Sequence, residues 1–487
     1  MRDTKHLAWR AALAVALMVS FYLLALAVAG VLVAIPWLLW SVAKGALLKI
    51  GLFCLVGAFL ILKAILPRPD RFEPPGPLLE PQKQPRLFAE IRDLSRRTGQ
   101  EVPAEVYLIP DVNAWVAQRG GFMGIGSRRI MGLGLPLLQT LTLPELRGVI
   151  AHEFGHFHGG DVAIGPWIYK TRSALVRTVT ELAQHSKALS QVFIWYGKLF
   201  FRITHAVSRH QEVLADRLAV KVVGVDAFAS GLRGSNAAGI AFVPYWHRYV
   251  APVLSAGFAP PLAAGFETFL QTPGVVDMLT EALKHQSLHE KPNPYDTHPP
   301  LAERLAALGV GRAKAPRVEG PPSLSLLDDV PALEAALVAV MAGGRTHGAL
   351  AWTEVGHKVS LPMWEGYARE LRKELAGVTP SSLPTLEWER IGRRIGKGKG
   401  DATEAAEFGV GVGLALVLAK AGFTVETLPG ASDALVGLGE RVEVFRVRQR
   451  LAEGPQAVEA WLALCARAGI ADADLGTACA LSGTPKK

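Results

Sequence analysis

The sequence predicts a mostly helical α+β protein with a small β-sheet, a membrane-spanning helical hairpin at the N-terminus and a helical accessory domain at the C-terminus. Three observations carry this reading. Two long apolar runs lie before residue 67, short alternating segments fall between residues 105 and 133 among long stretches of helical spacing, and a proline- and glycine-rich break follows Leu308. The expected boundaries are 1–66 for the hairpin, 67–315 for a central domain and 316–487 for the accessory domain.

The hairpin comes first. Residues 11–39 carry no charge, and a spanning helix needs only about 20 residues. A second uncharged run covers 50–62, flanked by Lys49 and Lys63, whose stems can snorkel. A cleaved signal peptide is the competing reading, but the first run is too long for one and a second span follows at once. Arg2, Lys5 and Arg10 precede the hairpin and Lys63, Arg68, Arg71 and Lys83 follow it, whereas only Lys44 and Lys49 sit in its turn. The positive-inside bias therefore places both ends, and the bulk of the chain, in the cytoplasm.

Composition excludes other classes. The net charge of +9 suits a neighbour of anionic lipid, and no basic–aromatic module points to nucleic acid, so no nucleic-acid partner is expected. The three cysteines, Cys54, Cys465 and Cys479, form neither a disulfide framework nor a zinc-finger pair, which fits a reducing compartment for the soluble part.

Along the chain, residues 67–86 are proline-rich and read as an extended linker. Residues 87–98 have helical spacing, 105–109 and 113–117 read as strands, and 128–133 as a returning strand. The glycine-rich segment 120–126 lacks the Lys-Ser/Thr ending of a phosphate loop and reads as a hairpin turn. Thr142, Pro144 and Glu145 mark a helix start, with Thr142 as N-cap. Residues 164–218 are almost continuously helical. Their apolar centre, 192–201, is interrupted by charge and reads either as an amphipathic helix at an interface or groove, or as a plain core helix. In the C-terminal region the best helices are 363–376, 402–421 and 457–468. The apolar stretch 408–418 is too short to span and reads as core, and 390–399 reads as a basic, glycine-rich loop, either solvated or touching phosphate or lipid.

The chemistry concentrates in His152-Glu153-Phe154-Gly155-His156. Histidines four apart on a helix project from one face, so both can bind one Zn²⁺ while Glu153 reaches the activated water as general base. A catalytic zinc site needs a third protein ligand. A further histidine six residues on would supply it, but that position is Val162. The alternative is a carboxylate from a second helix. Glu212 answers, with Asp216 one turn on and able to hold a ligand histidine's tautomer. His158 and His210 point elsewhere and read as ordinary histidines.

In order, Asn113-Ala114, His152 to His156, Glu212 to Asp216, and Thr297-His298-Pro299-Pro300-Leu301-Ala302-Glu303-Arg304 resemble the zinc endopeptidase family of the CAAX prenyl proteases and HtpX-type membrane peptidases, peptidase family M48. The resemblance covers about residues 70–310 and implies a zincin-like metallopeptidase domain. It implies one zinc ion per chain on His152, His156 and Glu212, with Glu153 as base. It further implies that His298 faces the metal, either stabilising the oxyanion or acting as a removable fourth ligand, and that Arg304 holds its loop. From the residues alone, His298 is an ordinary histidine in a proline-rich loop. Asp161 is similar to the family's acid behind the ligands, or simply closes the helix. The strand at Asn113 and Ala114 would be the edge on which an extended substrate pairs. The chain departs from HtpX-type relatives in that 164–218 carries many charges where they have two more spans.

The expectation is a membrane-anchored zinc endopeptidase with two spans and a cytoplasmic catalytic domain, acting on membrane-associated or misfolded proteins. The competing class is a membrane scaffold or chaperone-like module with a closed zinc site. The intact Glu153 argues against it, since a structural site needs no base.

Overall fold

The computed structural model describes residues 2–43, 48–66, 72–120, 127–157, 165–289, 299–311, 317–396 and 400–480. The structure is mostly helical, 69 %, with small sheets, as expected from the sequence. Two compact units form: Met1–Ala238 with Leu283–Asp328, and Gly239–Ala282 with Asp329–Lys487.

In the first unit, helix α1 (Arg2–Ala43) and helix α2 (Leu48–Ile65) pack along one another. Against them lie α6 (Gly165–His185) and α7 (Lys187–Val223), broken only at Ser186, whose hydroxyl accepts the Leu189 N–H as N-cap. Phe21, Ala25, Ala58, Ile61, Leu182, Phe193 and Phe200 form the shared core of these four helices. The Ser20 and Tyr196 hydroxyls meet at 2.6 Å inside it, so that buried polarity is paired. The apolar centre of α7 therefore does two things: Phe193 and Phe200 are fully buried, whereas Val192, Trp195 and Leu199 face outward. On α1 and α2, Val19, Leu23, Val31, Leu52, Phe53 and Phe59 are likewise exposed. Apolar surface on this scale suits lipid rather than water. Among the described residues, two helical stretches are long and apolar enough to cross a membrane, Ala12–Leu38 of α1 and Ala402–Lys420. The latter is buried through 409–418, in agreement with its reading as core.

The first unit's sheet contains β1 (Glu105–Ile109), β2 (Ala114–Arg119) and β3 (Arg128–Gly134), in the order β1-β3-β2. β1 runs parallel to β3, and β2 pairs antiparallel to it from Ala114↔Leu133 to Arg119↔Arg128. The turn expected at 120–126 falls almost wholly on 121–126, which lie outside the described residues. Within the linker, Pro77 O and Leu79 N bond to the outer edge of β1 at 3.0 and 2.8 Å. Helix α3 (Pro85–Thr98) buries Leu87, Phe88, Ile91 and Leu94 and ends at Gly99, whose φ of 67° suits glycine. After the short helix α4 (Leu135–Thr140) comes α5 (Leu143–Gly155). At its start the Glu145 carboxylate accepts the Thr142 N–H at 2.8 Å. Residues 317–323 run over this start, with Leu143 N bonded to Pro321 O and Ser323 N to Leu141 O.

In the second unit, helix Ala402–Lys420 is the centre of a core that includes Trp364, Leu383, Leu414, Trp461 and Leu475. Residues 239–282 belong to this unit by packing. The Tyr245 hydroxyl donates to Leu262 O, and the Glu334 carboxylate accepts the Ala263 N–H at 2.7 Å. Two features differ from the sequence reading. A three-stranded antiparallel sheet is present (Thr424–Glu426, Ala434–Gly437, Glu440–Val442), its strands too short to leave a period-2 pattern. The presumed basic loop is helix from Trp388 to Ile395, and only 397–399 lie outside the described residues. Gly392 is there for packing: a Cβ would strike the Ala402 carbonyl of the neighbouring helix.

Gly392→Ala is therefore expected to destabilise the second unit by about 1–3 kcal/mol through overpacking. Gly366→Ala, on an exposed helical position with nothing within 4 Å, should be neutral or gain about 0.5–1 kcal/mol. Thermal unfolding of the full chain in detergent checks this, and equal midpoints for the two variants would contradict the helix crossing.

Candidate metal centre

The site forms where α5 crosses α7. A Cβ on Gly155 would stand 2.6 Å from Ala215 Cα, so only glycine allows this approach. Ala215 lies between Glu212 and Asp216, and the crossing sets both carboxylates against the histidine motif. His152, Glu212 and Asp216 are all buried, with exposures of 4–5 %. His156 is the residue that caps α5, at φ −63° and ψ −17°, so it keeps helical conformation and shares the face of His152.

Three donors converge. His152 Nε2 lies 3.5 Å from one Glu212 oxygen and His156 Nε2 lies 3.5 Å from the other. These separations exceed the usual 2.7–3.2 Å of a hydrogen bond. They match the roughly 3.3 Å between two ligands of a tetrahedral ion bonded at about 2.0 Å. His152 Nε2 is buried and has no hydrogen-bond partner, and a buried imidazole nitrogen left in that state calls for a cation or a proton donor. The two-nitrogen, one-carboxylate set fits a divalent metal with N/O preference. Donor atoms of His152, Glu153 and His156 also lie within 4.8 Å of one another, and Glu153 is only partly buried, so its carboxylate stands beside the donors and open to water.

Behind the ligands, Asp216 Oδ1 lies 2.9 Å from His152 Nδ1. A carboxylate only accepts, so the shorter contact makes Nδ1 the donor, with Arg304 Nη2 3.3 Å from the same nitrogen; in that tautomer Nε2 presents its lone pair to the donor cluster. Arg304, on the helix Leu301–Ala307, grips Asp216 with two bonds, Nε at 3.1 Å and Nη2 at 2.5 Å. Burial alone would raise the Asp216 carboxyl. The hydrogen bonds from His152 and Arg304 and the guanidinium charge outweigh it and hold the carboxyl below its usual range. Asp216 thus stays ionised, and it ties the helix after Pro300 to α7. The Arg304 anchor is this carboxylate, a partner the resemblance did not name.

Of the expected site residues, the structure brings together His152, Glu153, His156, Glu212, Asp216 and Arg304. His298 and Asp161 lie outside the described residues, as does His158. Ala114 opens β2, with Asn113 just before it; β2 is an outer strand of the sheet and packs against α5. Sequence reasoning missed the two glycines that permit the site, Gly155 and Gly148, although a small residue between paired histidines was a visible signal. It also missed Phe228, whose ring stacks on His152 with centroids 5.9 Å apart.

The family model of peptidase family M48 matches residues 81–310. The chain is similar to Protease HtpX of Serratia proteamaculans, 24 % identical over 247 residues covering 45 % of this chain and 82 % of that protein. It is similar to a Protease HtpX homolog of Archaeoglobus fulgidus, 24 % identical over 237 residues, 46 % of this chain and 67 % of the other. A further protein, Protease HtpX homolog 1 of Sulfurisphaera tokodaii, is 37 % identical over 79 residues, 16 % of this chain and 24 % of its own length. No solved structure matches.

If the Gly155–Ala215 approach builds the centre, Gly155→Ala should push α5 from α7 and lower bound divalent metal per chain, at a cost of about 1–3 kcal/mol in stability. Elemental analysis of purified protein measures the metal, and wild-type content in this variant would contradict the crossing's role.

Proposed function

Because residues 81–310 belong to peptidase family M48, we propose that this chain is a membrane-anchored endopeptidase that holds one zinc ion on His152, His156 and Glu212 and hydrolyses peptide bonds with Glu153 as general base. The observation that carries this reading is the Glu212 carboxylate, whose two oxygens stand 3.5 Å from His152 Nε2 and from His156 Nε2, with His152 Nε2 buried and without a hydrogen bond. Zinc bound there supplies Lewis acidity, polarising a carbonyl and lowering the pKa of water to about 7.

The chain's own residues do the remaining work. Glu153, beside both histidines and open to solvent, takes the proton of the attacking water and delivers it to the leaving amine. Asp216 holds the proton on His152 Nδ1, so Nε2 stays a donor to the metal throughout. Arg304 keeps Asp216 ionised and in place. His298, by resemblance, stabilises the oxyanion or serves as a removable fourth ligand, and Asp161 supports the ligands from behind. Substrate enters as an extended segment along β2 from Asn113–Ala114, whose position against α5 supports strand addition beside the metal.

The anchor is the α1–α2 hairpin, crossing the membrane twice, with the peptidase on the cytoplasmic side by its charge bias. Its exposed apolar faces support contact with lipid. Protein substrates are membrane-associated or misfolded chains, by the resemblance to the family.

Casein cleavage by detergent-solubilised protein tests the reaction. Glu153→Gln should lose about 10²–10⁴-fold in rate with zinc content unchanged. Wild-type protein that binds zinc and cleaves nothing under the same conditions would favour a closed, scaffold-like site instead.

A further inference from the structure

We infer that Phe228 is a positioning residue for the metal centre, holding the face of the His152 imidazole as Asp216 holds its edge. The inference rests on the zinc reading above and names a residue outside the ligand and acid motifs.

Phe228 is fully buried, at 0 % exposure. Its ring lies nearly parallel to that of His152, with an interplanar angle of 24° and centroids 5.9 Å apart, an offset-stacked pair. The same ring lies under the Arg304 guanidinium, 5.9 Å from its centroid, at the outer limit of a cation–π contact. One aromatic side chain thus touches both the ligand and the arginine that fixes the ligand's acid. An imidazole held only through Nδ1 can still swing about that hydrogen bond. A flat neighbour on its face removes the swing and leaves Nε2 aimed at the donor cluster.

The local backbone is arranged for this contact. Helix α7 ends at Gly224, whose φ of +87° turns the chain sharply into the helix Val225–Tyr245. Phe228 then falls on the first turn, its N–H bonded to Gly224 O at 3.3 Å. Gly148, one turn before His152 on α5, admits it: a Cβ there would stand 3.3 Å from Phe228 Cα and Cδ2. A purely space-filling phenylalanine would need neither its planarity nor its contact with Arg304, and this difference can be tested.

The test measures zinc affinity of the full chain by competition with a chromophoric chelator, together with the thermal midpoint of the zinc-free protein. Phe228→Leu and Phe228→Met keep apolar bulk and lose the flat face. Each should bind zinc about tenfold to a hundredfold more weakly, the range for residues that orient a ligand. Phe228→Tyr keeps the face and should restore affinity to near wild type, whatever its own midpoint. With casein, the leucine variant saturated with zinc should show lower kcat at similar KM. Wild-type affinity in the leucine or methionine variant, or an equal loss in the tyrosine variant, would overturn the inference while leaving the zinc site standing. Glu212→Ala, measured alongside, tests the underlying reading separately: unchanged zinc content there would overturn both.

Discussion

Everything at this site depends on how closely α5 and α7 can approach. The contact of Gly155 with Ala215 removes one side chain's thickness between two helices that are well separated in sequence. Glu212 and Asp216 flank that contact, so a single close crossing brings both carboxylates to the histidines. The rest of the first unit serves the crossing. The sheet and α3 pack around α5, the capped start at Thr142 and Glu145 sets where the helix begins, and residues 317–323 cover that start. Close-packed helices transmit small changes, so the donors keep their spacing only while this packing holds.

Burying two acids next to two histidines would be costly without compensation, and the arrangement of charges supplies it. Arg304 neutralises Asp216, His152 gives Asp216 a hydrogen bond, and the cation that fits between the donors would offset Glu212. The Arg304–Asp216 pair also links the helix Leu301–Ala307 to α7, so elements far apart in the chain assemble around one carboxylate. Phe228 stacks on the face of the His152 ring. The α1–α2 hairpin does not stand alone. Helices α6 and α7 bury Leu182, Phe193 and Phe200 against it while turning Val192, Trp195 and Leu199 outward. Because α7 runs on to Glu212 and Asp216, the donor cluster is built on the continuation of a helix packed against α1.

Much of this was legible in the sequence. The 3.6-residue period placed His152 and His156 on one face, the failure at Val162 directed attention to Glu212, and Asp216 followed one turn on. The strands 105–109 and 128–133 and the start of α5 were readable because alternation and capping are local. Non-local features were not. The partner of Arg304, the docking of Pro77 and Leu79 on β1, and the stacking of Phe228 on His152 depend on which segments meet in space. Gly392 shows the same limit from the other side. Glycine and arginine together read as a loop, yet the glycine marks a helix crossing, because close approach and backbone freedom both select glycine. The sheet at 424–442 was missed because strands of three or four residues carry no usable period.

The central claim, that one zinc ion sits between two histidines and one glutamate at this crossing, is most directly tested by X-ray absorption at the zinc K-edge of the purified, full-length protein. The account predicts a nitrogen and oxygen shell at about 2.0–2.2 Å, the outer-shell scattering of two imidazoles, and no sulfur. A sulfur shell at about 2.3 Å, or a spectrum lacking imidazole scattering, would contradict it.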